Sequence, residues 1–94
     1  MDVLQPYIGE NPVVVFGRPG CVECNRLETW MKANKTVFVK VDVAALDDED
    51  VDAVVPALKS VSNRSQYPFC FYEGVSLTSD ELRTTITMRP DDDF

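Results

Sequence analysis

Short apolar runs and helical stripes alternate with polar turns along the chain. Residues 13–16 are four consecutive apolar strand formers, a run typical of a strand that is covered on both faces. Leu27, Trp30 and Met31 follow at helical spacing, as in a helix that packs on a sheet, and residues 33–35 close it. The pattern therefore predicts a buried strand followed by an amphipathic helix.

A second strand and a second helix follow in the middle of the chain. Valines alternate with other side chains over residues 37–41, and this strand ends at Asp42. Strand, helix and strand in this order form a right-handed parallel unit in nearly all known folds. Four acids at 47–50 mark the start of the next helix, and Asn63 has the residue type that ends one in the left-handed conformation. Pro56 lies inside this helix, so we expect it to kink or divide the helix.

The last third of the chain predicts a hairpin and a closing helix. Residues 69–72 form a strand, Glu73-Gly74 is a turn signal, and residues 75–77 return as a short antiparallel strand. Thr78 and Glu81 have the spacing of a capping box, which opens a helix. That helix directs two apolar residues inward: Leu82 and Ile86.

The two ends of the chain carry weaker patterns. Residues 2–8 fit a short first helix capped by Asp2, in which Pro6 is tolerated because it lies near the first turn. At the other end we expect residues 89–94 to form a loose acidic tail. The remainder, residues 1–88, has the size of a single domain with a modest core.

Composition and charge narrow the classes of function. Hydrophobic residues make up 45% of the chain and charged residues 27%, as in an ordinary soluble globule. The formal net charge of -7 argues against a nucleic-acid partner, because phosphates are bound by Lys and Arg. The longest apolar run is too short to cross a bilayer, and a signal-peptide pattern is not evident. We therefore expect a cytoplasmic protein without a membrane partner, and a monomer.

Cys21 and Cys24 form a Cys-x-x-Cys motif where a turn meets a predicted helix. Gly17, Pro19 and Gly20 mark that turn. Unpaired N–H groups and the dipole at a helix start stabilise an anion, and the thiolate is the reactive form of cysteine. Cys21 is therefore the candidate catalytic nucleophile, and Cys24 is the resolving thiol that attacks the mixed disulfide formed on Cys21.

Other interpretations of the cysteines stay open at this point. A lone Cys-x-x-Cys also occurs as half of a zinc site or as a structural turn. The chain has three cysteines and no histidine, which excludes a Cys-His zinc finger and a thiol-imidazole pair. We expect Cys70 to be a buried apolar residue of a core strand, Trp30 and Met31 to be core residues, and no metal to be bound.

The order of the elements and several motifs resemble the thioredoxin fold and, in detail, the glutaredoxin family. The motifs are Val-Val-Phe at 14–16, Arg18 three residues before the first thiol, the dithiol itself, Asp42 and Tyr67-Pro68. The resemblance covers residues 2–86 and implies an α/β fold. Its central four-stranded mixed sheet has its first two strands parallel and its last two antiparallel, and helices flank it. The resemblance also implies that the proline is cis and lies against the dithiol.

The same resemblance implies glutathione as a reducing co-substrate. In the family a basic residue contacts one glutathione carboxylate, the residue before the cis-proline offers its backbone, and a Gly-Gly-x-Asp turn holds the other carboxylate. The matching substrate-binding positions here are Arg18, Tyr67 with Pro68, and Ser79 with Asp80 in a segment that lacks both glycines.

Val22-Glu23 between the thiols departs from the Pro-Tyr usual in the family. It looks closer to the Val-Gln of small glutaredoxin-like proteins that reduce ribonucleotide reductase. The charge of Glu23 opposes thiolate formation, so we expect a donor of electrons more than an oxidant.

Three functional hypotheses follow from the sequence. The first is a glutathione-dependent dithiol oxidoreductase that reduces disulfide-bearing proteins or glutathione mixed disulfides. The second is a carrier dedicated to one protein, such as ribonucleotide reductase, that depends little on glutathione. The third is a module whose dithiol holds a metal or an iron-sulfur cluster.

Overall fold

The computed structural model describes residues 3–9 and 11–88, which fold around one sheet. The helices are α1 (Gln5–Ile8), α2 (Val22–Ala33), α3 (Asp48–Ser62) and α4 (Ser79–Met88). The strands are β1 (Val13–Gly17), β2 (Val39–Asp42), β3 (Phe69–Tyr72) and β4 (Val75–Leu77), and a 3-10 turn spans Val43–Ala45. Every helix within these ranges is too short or too polar to cross a bilayer.

The four strands form one mixed sheet in the order β2-β1-β3-β4. β1 and β2 are parallel. β3 runs antiparallel to β1 and to β4, with Phe16 opposite Phe69 and Cys70 opposite Leu77. The four-stranded mixed sheet expected from the sequence is therefore confirmed.

Alternate side chains of β1 supply two hydrophobic cores, one on each face of the sheet. Val14 and Phe16 belong to the core covered by α1 and α3, whereas Val13 and Val15 belong to the core covered by α2 and α4. The helices add fully buried side chains to these cores: Val54 and Leu58 to the first, and Leu27, Met31 and Leu82 to the second. The uninterrupted apolar run in β1 is explained because both of its faces are covered.

The sheet brings three distant segments to the same end of the molecule. Gly17 ends β1, and Phe69, the first residue of β3, lies opposite Phe16. Antiparallel pairing therefore places Pro68 beside the turn that leads from β1 into α2. The pairing of β3 with β4 returns the chain to this end, where Ser79 begins α4.

The first helix is shorter than the sequence indicated. α1 begins at Gln5, with Leu4 at its N-cap and Pro6 in its first turn, where a missing N–H costs little. The predicted start near residue 2 is therefore wrong, because residues 3 and 4 precede the helix. Asp2, the expected cap, and residues 89–94, the expected tail, lie outside the described residues.

The second strand also starts later than the alternating valines indicated. β2 begins at Val39, and Val37 lies before it with 81% of its surface exposed. Extending the β1-β2 register by two residues would place Val37 opposite Pro12, which has no N–H for the ladder. At the other end, Asp42 Oδ1 accepts the Ala44 N–H at 3.0 Å and begins a 3-10 turn that the pattern did not indicate.

Pro56 does not divide α3, which runs unbroken from Asp48 to Ser62. Pro56 has no N–H to donate to the carbonyl of Asp52, its usual helical partner. Both residues are exposed, so solvent can bind that carbonyl, and the expected division is wrong. The end of the helix is as expected, since Asn63 takes the left-handed conformation with φ 57° and ψ 32°.

The hairpin and the last helix follow the predicted local signals. Glu73 and Gly74 have φ values of 49° and 85°, as a two-residue turn between antiparallel strands requires. Thr78 Oγ1 accepts the Glu81 N–H at 3.0 Å, and Glu81 Oε1 accepts the Thr78 N–H at 2.9 Å. This confirms the capping box at the start of α4.

Candidate active site

Cys21 is the N-cap residue of α2, so its sulfur lies against the open N–H groups of that helix. Its backbone is extended, with φ -87° and ψ 109°, and its Sγ accepts the Cys24 N–H at 3.1 Å. Cys24 lies in the first turn of α2 and forms a disulfide with Cys21, the two Cα atoms being 5.2 Å apart. The expected placement of the first sulfur at the helix start is confirmed.

The two cysteines differ in their access to solvent. Cys21 is half-buried, whereas Cys24 is only 2% exposed. Gly17, the last residue of β1, closes the space behind the second sulfur, because a Cβ at this position would lie 3.2 Å from the Cys24 Sγ. The Cys21 sulfur is therefore the more accessible of the two, which favours Cys21 as the nucleophile and Cys24 as the resolving thiol.

A groove of about 500 Å³ opens beside Cys21. Its lining comes from the turn before α2, from α3 and from the chain before β3: Arg18, Cys21, Val55, Lys59, Ser65, Gln66 and Tyr67. Three of the site residues expected from the sequence thus meet in one place. Lys59 adds a second cation, and within the described residues neither Arg18 nor Lys59 takes part in an ion pair.

Tyr67 and Arg18 form one wall of this groove. The Arg18 Cζ lies 5.3 Å from the centroid of the Tyr67 ring, a cation–π contact. Burial raises the pKa of the Tyr67 hydroxyl, and the charge of Arg18 opposes that rise. The phenol therefore keeps its proton at neutral pH and can donate a hydrogen bond to a ligand.

Pro68 is buried directly before β3, and the Tyr67–Pro68 peptide bond is cis. Arg64 holds this segment from outside the predicted site. Its Nη2 donates to the Pro68 carbonyl oxygen at 2.9 Å, and its guanidinium carbon lies 5.8 Å from the centroid of the Phe69 ring. Arg64 thereby orders the strand entrance that borders the groove.

Ser79 and Asp80 are not part of the groove lining. The Ser79 hydroxyl donates to Glu23 Oε2 at 3.0 Å, and Arg83 Nη2 lies 2.9 Å from the same oxygen. Asp80, whose side chain is 91% exposed, pairs with Arg83 Nη1 at 3.3 Å. The two residues expected to bind a ligand carboxylate thus contact groups of the chain itself.

This network changes the interpretation of Glu23. The sequence predicts that its charge opposes thiolate formation. In the fold, the Arg83 guanidinium from α4 binds the Glu23 carboxylate, and the two side chains are 25% and 36% exposed. A nearby cation offsets the field of the carboxylate at the dithiol, so its effect on the thiolate is smaller than the isolated charge indicates.

Cys70 is fully buried on β3, which confirms its expected place in the core. Burial raises the pKa of its thiol to about 12, although the positive charges of Arg64 and Arg83 oppose the rise. Met31 is likewise fully buried, while Trp30 is only partly buried and packs at the edge of the same core. Cys70 is therefore protonated and enclosed at neutral pH, and the exchange chemistry rests on the other two cysteines.

Sequence reasoning missed three functional candidates, each of them far from the dithiol along the chain: Lys59, Arg64 and Arg83. Lys59 alone left a signal, because it follows Val55 by one helical turn on the same face of α3. The described ranges contain no group of three or more His, Cys, Asp or Glu side chains placed to hold a metal ion.

Comparison with known families identifies the lineage of the chain. The family model described as Glutaredoxin matches residues 13–77, which contain the dithiol, the groove segments and the strand entrance at Pro68. A search of curated protein sequences gives no significant match.

Similar solved structures share the fold over most of the chain. Glutaredoxin C1 from Populus tremula x tremuloides, a crystal structure of the holo form, has a TM-score of 0.75 and 22% identity, over 90% of this chain and 83% of that one. The dithiolic glutaredoxin 2-C-Grx1 from Trypanosoma brucei brucei has a TM-score of 0.76 and 20% identity, over 93% of this chain and 89% of that one. A buckwheat glutaredoxin-glutathione complex has a TM-score of 0.76 and 21% identity, over 88% of this chain and 74% of that one.

The fold, the Cys-x-x-Cys pair and the family match agree with one another. A half-buried sulfur at a helix start and a second sulfur within bonding reach of it support thiol-disulfide oxidoreductase activity. The chain belongs to the glutaredoxin family.

Proposed function

We propose that the protein is a glutathione-dependent dithiol oxidoreductase that reduces protein disulfides or glutathione mixed disulfides. The observation that carries the proposal is the groove beside Cys21, in which two cationic side chains, Arg18 and Lys59, flank the more accessible sulfur. Glutathione carries two carboxylates and one ammonium group, so it is anionic at neutral pH. A groove with two cations in a chain of net charge -7 favours such a ligand locally.

The proposed reaction is a sequence of thiol-disulfide exchanges. The Cys21 thiolate attacks one sulfur of the substrate disulfide, the other substrate sulfur leaves as a thiolate that takes up a proton, and a mixed disulfide remains on Cys21. The Cys24 thiolate then attacks the Cys21 sulfur, which releases the second substrate thiol and forms the Cys21–Cys24 disulfide. The substrate gains two electrons and two protons, and the dithiol loses them.

Two glutathione molecules restore the dithiol. The first attacks the Cys21 sulfur, giving a glutathione mixed disulfide on Cys21 and freeing Cys24. The second attacks the sulfur of the bound glutathione, so that oxidised glutathione leaves and Cys21 returns to the thiolate. The Cys24 N–H donates to the Cys21 sulfur in the structure, so it can stabilise the Cys21 thiolate that this step forms.

One observation favours a second candidate, a carrier dedicated to a protein partner with little use of glutathione. Ser79 and Asp80 match the place where the family binds a glutathione carboxylate, and both are engaged by Glu23 or Arg83. A protein partner that docks around Cys21 does not need that place.

A coupled assay separates the two candidates. The protein is supplied with a small mixed disulfide, glutathione, glutathione reductase and NADPH, and a parallel reaction contains thioredoxin reductase in place of the glutathione system. We expect turnover with glutathione and its loss in Cys21→Ser. When Cys24→Ser is given a disulfide-bearing protein without glutathione, we expect the mixed disulfide on Cys21 to accumulate, because no thiol is present to resolve it. Turnover confined to the thioredoxin reductase reaction would contradict the glutathione proposal and support the dedicated carrier.

A further inference from the structure

Glu23 links the dithiol helix to the last helix through two donors that bind its carboxylate. One of its oxygens accepts the Ser79 hydroxyl at 3.0 Å and lies 2.9 Å from Arg83 Nη2. A hydroxyl and a guanidinium converging on one carboxylate is the donor set that a ligand carboxylate would use. The chain therefore fills this donor set with its own side chain.

The arrangement lies where the dithiol helix and the last helix begin, at the same end of the sheet. Glu23 is two residues along α2 from Cys21, and Ser79 begins α4 at the end of the sheet where Pro68 lies beside the turn into α2. The side chains of Arg83 and Glu23 are 25% and 36% exposed, so the ion pair is open to solvent and to exchange with another carboxylate.

The groove beside Cys21 offers a separate pair of cations. Arg18 and Lys59 line it, whereas Ser79 and Arg83 do not. A glutathione held on Cys21 by its sulfur has two carboxylates at opposite ends of an extended tripeptide. If one carboxylate meets the groove cations, the other is left for donors outside the groove, and Glu23 already holds one such set.

We infer that Glu23 is a specificity-determining residue that competes, within the chain, for the donors of a glutathione carboxylate. This inference rests on the proposed function and refines it. Because Glu23 is part of the same chain, it is always at high local concentration beside Ser79 and Arg83, and a ligand carboxylate must displace it. Glutathione bound to Cys21 is therefore held less tightly than it would be if Glu23 did not occupy Ser79 and Arg83.

The test measures an exchange equilibrium on Cys21 in the Cys24→Ser background. Protein carrying 2-mercaptoethanol on Cys21 is mixed with glutathione, and mass spectrometry gives the ratio of the two mixed disulfides. Both states have Cys21 in a disulfide, so a change in its thiolate reactivity does not enter the constant. 2-Mercaptoethanol is uncharged and makes no use of a carboxylate site.

Two substitutions distinguish occupation of the donors from simple charge. Glu23→Ala removes both the charge and the contact, and we expect it to shift the equilibrium about tenfold toward glutathione, as one charge-assisted hydrogen bond does. Glu23→Asp keeps the charge but withdraws the carboxylate by one methylene, and we expect it to shift the equilibrium in the same direction. Ser79→Ala in the Glu23→Ala background should remove part of the gain.

Three outcomes decide against the inference. A shift below twofold in both variants would show that Glu23 does not compete, and a shift in Glu23→Ala with none in Glu23→Asp would assign the effect to charge alone. A gain that survives intact in Glu23→Ala/Ser79→Ala would place the glutathione carboxylate elsewhere. The proposed function has its own control, because absence of glutathione turnover in the protein with native Glu23 would contradict that function whatever the variants show.

Discussion

Cys70 allows the burial of the third cysteine to be tested through the pH dependence of stability. Its side chain is fully buried on β3, and burial raises the pKa of the thiol from 9.0 to about 12. In the unfolded chain the thiol therefore loses its proton at lower pH than in the folded protein. The stability that the protonated thiol contributes is complete below pH 9 and is lost as the pH rises toward the folded value.

The expected loss between pH 7 and pH 10 follows from these two pKa values. At pH 10 an unfolded thiol with a pKa of 9.0 is about ten times more often ionised than protonated, whereas the folded thiol, with a pKa of about 12, remains protonated. Ionisation thus lowers the free energy of the unfolded chain by about 1.4 kcal/mol. The free energy of unfolding falls by the same amount.

Urea denaturation at pH 7 and pH 10 measures this difference. Cys21→Ser/Cys24→Ser leaves Cys70 as the single thiol of the chain, since the sequence has three cysteines. The same protein with Cys70→Ala is the matched control, because it retains every tyrosine and lysine that titrates over this range. We expect the parent to lose about 1.4 kcal/mol more than the control. Equal losses in the two proteins would refute the burial of a protonated thiol at this position.

Three further predictions test the core, the groove and the dithiol. Leu27→Ala should lower the free energy of unfolding by about 3–5 kcal/mol in urea denaturation, because Leu27 is fully buried between α2 and the sheet, and a loss below 1 kcal/mol would contradict this packing. Lys59→Gln should raise the KM for glutathione about two- to fivefold in the coupled assay, whereas Lys32→Gln, which removes a cation from a surface ion pair, should leave it unchanged. Gly17→Val should cost about 1–3 kcal/mol in thermal unfolding, since its Cβ would lie 3.2 Å from the Cys24 sulfur, and unchanged stability would show that this space is open.

The fold was largely predictable wherever a local signal and the tertiary environment agreed. β1 is apolar throughout because it is central, and the hairpin turn and the Thr78–Glu81 capping box depend on residues close in sequence. The predictions failed where a neighbour in space decides. Val37 has the residue type of a strand but lacks a ladder partner at Pro12, and Pro56 stays inside α3 because the carbonyl it frees is exposed.

The site was likewise predictable from the sequence only where its parts lie close together along the chain. The dithiol at a helix start could be read from the spacing of Cys21 and Cys24 because all of its parts lie within a few residues. The partners that adjust its chemistry could not, since Arg83 acts on Glu23 from a helix about sixty residues further along the chain, a separation that no periodicity reports.

By itself, the sequence determined where the Cys21–Cys24 pair lies and which elements carry it, because helix starts, turns and strand runs follow from short-range backbone physics. The tertiary structure decided what surrounds the sulfurs. It set Arg18 and Lys59 along one groove, enclosed Cys70, and placed Glu23 between Ser79 and Arg83. These arrangements depend on strand register and helix packing, in which residues far apart in the chain come within a few ångströms, and only the folded chain specifies those distances.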